Sequence, residues 1–152
     1  MNIAEIKSAL KDECLKKIEE QISVVRGVIK EYQSEANDIK NSGEDKFDSQ
    51  KEDYQNKVEA HKKQLAVLAQ TKILIEKIEA KENDGIFLGS IIETNEGNYF
   101  ISGQLSIHSI EHNGNQYIPV SFASPIIKAF RASGGGRSVR FRDREINILR
   151  IF

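Results

Sequence analysis

Apolar residues recur at helical spacing along the first half of the chain, in two series that a polar segment separates. Within each series the intervals are three, four or seven residues, and Lys72 falls out of the pattern. This spacing is typical of a coiled coil, and the simplest partner for the first helix is the second one. The first seam comprises Ile6, Leu10, Cys14, Ile18, Ile22, Val25, Ile29 and Tyr32, and the second comprises Phe47, Tyr54, Val58, His61, Leu65, Leu68 and Ile75.

The polar segment between the seams contains the strongest turn signal of this region, Asn41-Ser42-Gly43. Gly43 can adopt a positive φ, and Ser42 or Asn41 can cap a helix end. Residues 1–80 are therefore predicted to form an antiparallel coiled-coil hairpin with two helices of about 33 residues each. At roughly 1.5 Å per residue, such a hairpin would project on the order of 50 Å.

After residue 81 the sequence changes to short runs rich in β-branched and aromatic residues. These runs predict strands at 86–94, 98–107 and 116–121, with turn residues between them. The closing stretches 137–142 and 145–152 alternate apolar and polar residues about a turn at Asp143-Arg144.

One helix is predicted within this second region. Ser124 is a suitable N-cap, Pro125 suits the first helical position, and three consecutive glycines from Gly134 end the run. The sequence as a whole therefore predicts an α+β fold. Residues 1–80 form the hairpin with its acidic tip, and residues 81–152 form a small antiparallel sheet of about five strands with one helix packed across it.

The composition agrees with a solvated helical pair joined to a small module. Of the 152 residues, 30% are charged, and tryptophan is absent. The single cysteine, Cys14, rules out an internal disulfide, and no apolar run reaches membrane-spanning length. Because the N-terminus also lacks an apolar signal core, we expect a cytoplasmic protein that does not enter a membrane.

Charge is distributed unevenly along the chain. Residues 35–53 hold seven acids against three lysines, a balance of −4, whereas residues 128–150 hold seven basic residues against two acids, a balance of +5. A molecule with two such poles is oriented by the field of a partner before contact. The acids of the first pole are Glu35, Asp38, Glu44, Asp45, Asp48, Glu52 and Asp53.

The acidic segment at the predicted hairpin tip is the first candidate site. Carboxylates brought together on a rigid support can hold a divalent cation, because Mg²⁺ prefers oxygen ligands and usually keeps several waters that a partner replaces. A charge run at the exposed end of a helix is also commonly just solvated. Both interpretations are open on the spacing alone.

The basic strands near the C-terminus are the second candidate. Arginines at this spacing can contact nucleic acid phosphates or an acidic protein surface, and the scarcity of aromatic residues favours the protein surface. Solvated arginines that discourage pairing at a sheet edge are the alternative. The residues concerned are Lys128, Arg131, Arg137, Arg140, Arg142 and Arg144.

Other chemistry is poorly supported by the sequence. The three histidines, His61, His108 and His112, lack metal-ligand spacing, and His61 falls on the seam, where a packed or half-exposed imidazole is expected. Cys14 is likewise a seam residue. The glycines from Gly134 follow a helix instead of opening one, which disfavours a phosphate-binding loop. We therefore do not expect a free-standing enzyme.

The order of a helical hairpin with an acid-rich tip and a small β-rich module resembles the Gre family of bacterial transcript cleavage factors. The second module of that family carries a stretch like S-x-x-S-P-I-x-x-A-L-x-G-K-x-x-G-D-x-V. In this chain Phe130 stands for the leucine, Ser133 for the lysine and Arg137 for the aspartate. Gly89-Ser90 also matches the opening strand of the module. The positions that match without a gap are Ser121, Ser124, Pro125, Ile126, Ala129, Gly136 and Val139.

At the tip the family pattern is G-D-L-x-E-N-A-E-Y, and this chain has "NDIKNSGED" from Asn37. Asp38 falls on the first family acid and Glu44 on the last, but Asn41 stands where the family has the second of its two metal-holding acids. Either Glu44 or Asp45 supplies the missing carboxylate, or the protein enters the same channel without promoting cleavage.

The resemblance implies a function and a partner. The FKBP-like module docks at the rim of the secondary channel of RNA polymerase, and the hairpin tip reaches the active centre. There the tip acids help to hold a second Mg²⁺, shared with the polymerase and not tightly bound by the factor alone, and orient a water that cuts backtracked RNA near its 3′ end. Asp38, Glu44 and Asp45 are the expected catalytic residues, with Asp38 and Glu44 as metal ligands.

Two further functions are alternatives to this one. A channel-binding regulator would act on RNA polymerase without cleavage. A coiled-coil interaction scaffold would pair its seam with another chain and form a dimer, whereas an intramolecular hairpin predicts a monomer.

Overall fold

The computed structural model describes residues 2–41 and 48–152, and of residues 39–41, 48 and 49 it describes only the backbone. The fold is α+β, as the sequence predicts: a helical hairpin precedes a six-stranded sheet with one helix. The elements are α1 (Ile3–Asn41), α2 (Asp48–Glu76), β1 (Ile91–Thr94), β2 (Gly97–Ile101), β3 (Ile110–His112), β4 (Asn115–Val120), α3 (Pro125–Ala132), β5 (Ser138–Phe141) and β6 (Arg144–Ile151).

The predicted seams are the buried faces of α1 and α2. Every residue of the first seam from Ile6 to Ile29 is at most 8% exposed, and Tyr32 is half-buried. On α2, Val58 and Ile75 are buried, whereas Tyr54, His61, Leu65 and Leu68 are half-buried. The seam residue Phe47 lies outside the described residues. Val25, Ile29 and Val58 form one apolar cluster, against which Tyr32, Leu65 and Leu68 pack.

A side-chain cap fixes the start of α1. The Asn2 side-chain oxygen accepts a hydrogen bond from the backbone N–H of Glu5 at 3.2 Å, and the Asn2 carbonyl accepts one from Ile6 at 3.1 Å. Asparagine is one of the best N-cap residues because its side chain satisfies an N–H group that has no partner within the helix.

Two lysines of α1 bind the carbonyls at and after the end of α2. Lys11 Nζ donates to the carbonyls of Glu76 and Ile78 at 3.0 and 2.7 Å, and Lys7 Nζ donates to the carbonyl of Lys81 at 2.8 Å. Cations at a helix C-terminus satisfy carbonyls that the helix cannot and complement its dipole. Lys7 is fully buried, and desolvation lowers its pKa, against an opposing effect of the nearby Glu82 carboxylate.

The sheet differs from the prediction of an antiparallel sheet with about five strands. It has six strands in the order β3-β4-β2-β1-β6-β5, and β2 pairs with β4 in parallel while the other pairs are antiparallel. After β2 the chain passes through residues 102–109 and begins β3 two strand positions away from β2. β4 then returns along the same direction as β2 and fills the gap between them, which makes this one pair parallel.

The first two predicted strands are shorter than the sequence suggested. The run 86–94 gives only β1 (Ile91–Thr94), and the run 98–107 gives only β2 (Gly97–Ile101). β1 begins at Ile91 because the Ser90 hydroxyl holds the preceding residues in a turn, with hydrogen bonds to the Phe87 N–H at 2.9 Å and the Gly85 carbonyl at 2.6 Å. Gly89 has φ +91°, and an added Cβ would come 3.0 Å from Ile78. The apolar run 86–90 therefore packs as a turn, and not as the first half of a strand.

Helix α3 covers one face of the sheet. Ser124 precedes it in an extended conformation and Pro125 is its first residue, as predicted, although the Ser124 hydroxyl makes no capping hydrogen bond. Phe130 is 1% exposed and meets Tyr99 edge-on, with ring centroids 5.8 Å apart. The buried residues of this core are Ile92, Tyr99, Ile101, Ile126, Ile127, Phe130, Val139, Ile146 and Ile148.

The chain separates into two compact units. One comprises Met1–Lys17 with Thr71–Phe152, and the other comprises Ile18–Gln70. In the first unit, Ile91 and Phe100 are fully buried on the sheet face opposite α3. The domain division predicted between residues 80 and 81 follows the change from helix to sheet, and it stays a prediction.

The β5–β6 connection contains backbone strain that substitution should relieve. Its turn residues are Arg142 and Asp143, one position before the predicted pair, and both have positive φ (49° and 62°), as a type I′ turn requires. We expect Arg142→Asn with Asp143→Gly to raise the free energy of unfolding by about 1–2 kcal/mol, because a side chain in this backbone region is unfavourable. Urea denaturation measures the change.

The β3–β4 turn provides the matched control. Asn113 and Gly114 already form the favoured pair there, with φ values of 51° and 80°. Gly114→Ala should lower the stability by about 1 kcal/mol, since alanine is strained at positive φ. Equal stability of the wild type and the Arg142/Asp143 double variant would contradict the claim that the β5–β6 turn is strained.

Candidate functional site

Asp38 is the predicted site residue that the structure describes in full. It lies three residues before the end of α1 at Asn41, and its side chain is exposed to solvent. Glu44 and Asp45 lie outside the described residues, so their roles stay predictions. Asn41 is helical, and its side chain is likewise outside the described part.

Another carboxylate one turn before Asp38 already has a partner. Glu35 accepts a hydrogen bond from the Tyr54 hydroxyl of α2, and this bond raises the pKa of Tyr54 above its usual value. Residues three or four positions apart lie on neighbouring parts of a helix surface, so Glu35 and Asp38 share one side of α1. Glu35 therefore joins the two helices, and Asp38 is the exposed carboxylate beside it.

An aromatic cluster supports the hairpin close to this position. The Tyr32 ring lies 5.9 Å from the Tyr54 ring and 5.6 Å from the His61 ring, and Lys57 Nζ lies 5.4 Å from the centroid of each tyrosine. His61 Nδ1 is 2.8 Å from the Lys57 carbonyl. His61 is half-buried against Tyr32, which agrees with the expectation of a packed or half-exposed imidazole. Because rings replace aliphatic side chains here, both helices are held by stacking as well as by apolar burial.

A polar groove accompanies the hairpin on this part of the molecule. Its volume is about 620 Å³, and its floor includes the buried Ala36 and Val58. Four side-chain amides line it together with the Glu59–Lys62 ion pair, whose charged atoms are 3.8 Å apart. The sequence pattern did not reveal this groove, because exposed amides carry no periodic signal. The amides belong to Gln33, Asn37, Gln55 and Asn56.

The carboxylate of Asp38 is a suitable Mg²⁺ ligand but cannot form a site alone. Among the side chains that the structure describes, which do not include those of residues 39–49, no three His, Cys, Asp or Glu lie where they could hold a metal ion. The further ligands of a cation at Asp38 would come from residues 39–49 or from a partner. Mg²⁺ is commonly bound in this way, through one or two carboxylates with waters or partner oxygens completing the shell.

Three of the six basic residues near the C-terminus contact other side chains of the protein. Arg144 is 3.1 Å from Glu96, and the guanidinium of Arg131 lies 4.2 Å from the centre of the Phe122 ring. The guanidinium of Arg142 lies 5.1 Å from the ring centre of Phe141. Strand β5, which carries Arg140, is the last strand of the sheet. This placement of basic residues at a sheet edge agrees with the alternative that the arginines are solvated and discourage edge pairing.

Cys14 is a buried core residue, as expected from the seam. Desolvation raises the pKa of its thiol from 9.0 to about 11, with the Ser102 hydroxyl opposing this effect and the Glu13 carboxylate adding to it. The thiol is therefore protonated and unreactive at neutral pH.

This raised pKa predicts a loss of stability at high pH. Above pH 9 the unfolded chain releases the Cys14 proton while the folded chain retains it up to about pH 11, so the folded state binds more protons. The contribution of Cys14 is complete below pH 9 and is lost as the pH rises through 11. A difference of two units between the folded and unfolded pKa corresponds to about 2–3 kcal/mol in the free energy of unfolding.

The measurement is the free energy of unfolding of wild type and Cys14→Ala between pH 7 and 11. The difference between the two proteins should be constant below pH 8 and shrink above pH 9. Lys7, whose lowered pKa acts with the opposite sign, is present in both proteins and cancels. Parallel curves over the whole range would contradict the prediction.

Comparison of the chain with models of known protein families, with curated proteins and with solved structures gave no match. Among the residues that the structure describes, none of the helices combines the length and apolar composition needed to cross a membrane.

Proposed function

We propose that this chain is a Gre-like transcription elongation factor that inserts its hairpin tip into the secondary channel of bacterial RNA polymerase and promotes cleavage of backtracked RNA. The observation that carries the proposal is the exposed Asp38 close to the end of α1, on a hairpin whose two helices are joined by an acid-rich segment. Asp38 also occupies the first acid of the family tip pattern.

In this proposal the factor is not an enzyme by itself but stimulates the cleavage activity of the polymerase. Asp38, with Glu44 and Asp45, supplies carboxylate oxygens beside the polymerase active centre. Together with the polymerase, these carboxylates would hold a shared Mg²⁺, which would supply an activated water and stabilise charge on the cut phosphate. Within the hairpin, the Glu35–Tyr54 hydrogen bond and the Tyr32 stacking hold the two helices together near Asp38. The factor works in the cytoplasm as a monomer.

A second candidate is a regulator that enters the channel without promoting cleavage. Asn41 favours it, because an amide replaces one of the two acids that the family uses. An amide oxygen can coordinate a cation, but it lacks the charge that strengthens Mg²⁺ binding. Such a protein would still occupy the channel, and its effect would be a change in elongation or initiation rate.

RNA cleavage in stalled elongation complexes separates the two candidates. Backtracked complexes with 3′-labelled RNA are incubated with Mg²⁺, with and without the factor. Release of short 3′ fragments that depends on the factor supports cleavage. Altered elongation without such fragments supports the regulator, and no effect on either process contradicts both.

Light scattering tests the remaining alternative, a coiled-coil scaffold. In the hairpin the first seam of α1 is already buried, and its Val25 and Ile29 cluster with Val58 of the same chain. We therefore expect the mass of one chain of 17.2 kDa at all concentrations. A dimer that dissociates on dilution would support the scaffold instead.

A further inference from the structure

The two-residue turn between β3 and β4 places a glycine directly after an asparagine. Asn113 and Gly114 have φ values of 51° and 80°, and both residues are exposed to solvent. A Cβ added at Gly114 would meet nothing within 4 Å, so the space around this residue is open. An unhindered backbone nitrogen therefore follows the side-chain amide of Asn113.

Each of these two nitrogen atoms has a titratable side chain as its hydrogen-bond partner. The backbone N–H of Gly114 donates to Glu111 Oε1 at 3.2 Å. The side-chain nitrogen of Asn113, Nδ2, lies 3.2 Å from His112 Nε2. A carboxylate can take a proton, and a histidine can give or take one near neutral pH. The backbone nitrogen thus lies beside a base, and the amide nitrogen lies beside a group that is an acid when protonated.

We propose that this turn is a modification site, at which Asn113 deamidates in a reaction that Glu111 and His112 accelerate. The Gly114 nitrogen attacks Asn113 Cγ and gives its proton to the Glu111 carboxylate. In the tetrahedral intermediate the former amide nitrogen is an amine, whose lone pair takes a proton from the His112 imidazolium. The Cγ–Nδ2 bond then breaks, ammonia leaves and a cyclic imide remains. Proton exchange with water restores both side chains.

Water then opens the imide at either of its carbonyls. One product is aspartate, which is ionised at neutral pH and adds a negative charge to the turn. The other is isoaspartate, in which the backbone runs through the former side-chain methylene. This longer backbone no longer fits a tight hairpin turn, so the pairing of Ile110 with Tyr117 should weaken. Because β3 is the outermost strand, the pairing among the other strands is kept.

Mass spectrometry of the full-length chain, incubated at neutral pH, measures the reaction. Peptide fragmentation locates the mass increase of an amide-to-acid conversion at Asn113. We expect the folded chain to convert at least about tenfold faster than the chain unfolded in urea, where the two partners are not held in place. Asn147 is an exposed internal control that should convert far more slowly, because the N–H of Ile148 donates to the Arg137 carbonyl at 2.6 Å. A folded chain that converts no faster than the unfolded one would overturn the proposal.

Two variants then test the role of each partner. Glu111→Gln keeps an oxygen that accepts the Gly114 N–H but removes the base. His112→Gln keeps a hydrogen-bond acceptor for Asn113 but removes the acid. Each substitution should slow the conversion at least about tenfold. An unchanged rate would overturn the proposal, and so would a faster one, since the hydrogen bond would then protect Asn113.

His108→Gln is the matched control, since His108 is also an exposed histidine and precedes β3. This variant should convert at the wild-type rate, and a loss equal to that of the His112 variant would overturn the assignment. Far-UV circular dichroism should show the same fold in all three variants. Because the readout is a covalent change in the isolated chain, its result does not depend on any action on RNA polymerase.

Discussion

Replacing Asp38 with alanine is expected to lower factor-dependent RNA cleavage by at least about 100-fold, because the substitution removes a proposed metal ligand. Asp38 is exposed on α1, so its loss should leave the fold and the stability of the hairpin nearly unchanged. The rate of fragment release from backtracked complexes at saturating factor measures the effect. Raising the Mg²⁺ concentration should restore part of the activity, since weaker metal binding is then compensated by mass action.

Asp12→Ala is the matched control for this experiment. Asp12 is an exposed aspartate on the same helix, near its other end. Its removal should leave cleavage at the wild-type rate, and both variants should compete equally with wild type for the polymerase. Full cleavage by the Asp38 variant would remove Asp38 from its proposed role and direct attention to Glu44 and Asp45.

The largest effect on stability is expected for Phe130→Ala. Phe130 is 1% exposed in the core between α3 and the sheet and packs edge-on against Tyr99. Truncating a fully buried phenylalanine costs about 3–5 kcal/mol, since its apolar contacts are lost and a cavity remains. The aromatic pair contributes part of this cost, about 0.5–1.5 kcal/mol. Urea denaturation followed by circular dichroism measures the loss.

Phe122→Ala provides the comparison. Phe122 is 37% exposed, and its main partner is the guanidinium of Arg131 at 4.2 Å from the ring centre. An exposed contact of this kind contributes about 0.5–1 kcal/mol, so the variant should lose far less stability than Phe130→Ala. Similar losses in the two variants would contradict the assignment of Phe130 to the core of the sheet.

The helical hairpin could be predicted from the sequence because a seam is a local pattern. Each apolar position, from Ile6 to Ile29, is related to the next by three or four residues, and the buried face follows from helix geometry alone. The short signal at Ser124-Pro125 likewise located a helix start, since it reflects the backbone preference of two residues.

The sheet could be predicted only in part because pairing is not local. The parallel pairing of β2 with β4 depends on where the loop 102–109 places β3, and no residue in either strand encodes that choice. The turn before β1 depends on hydrogen bonds of the buried Ser90 and on the close approach of Gly89 to Ile78. An apolar run such as 86–90 fits a turn as well as it fits a strand.

The sequence located one candidate site by a local signal but gave no signal for features that combine distant residues. Asp38 could be placed near the end of a helix because the turn signal follows it within a few residues. The polar groove along the hairpin could not be foreseen, because it collects Gln33 and Asn37 of α1 with Gln55 and Asn56 of α2. The Glu35–Tyr54 hydrogen bond joins α1 to α2 and likewise has no sequence signature.

Copurification tests the central claim, action on RNA polymerase, most directly. The full chain, tagged at its C-terminus, is isolated at native abundance from the cells that produce it, and the recovered proteins are identified by mass spectrometry. The account predicts that the large subunits of RNA polymerase are enriched, and that purified core polymerase binds the chain in gel filtration. Absence of polymerase from the purified material, together with no binding to core enzyme, would contradict it.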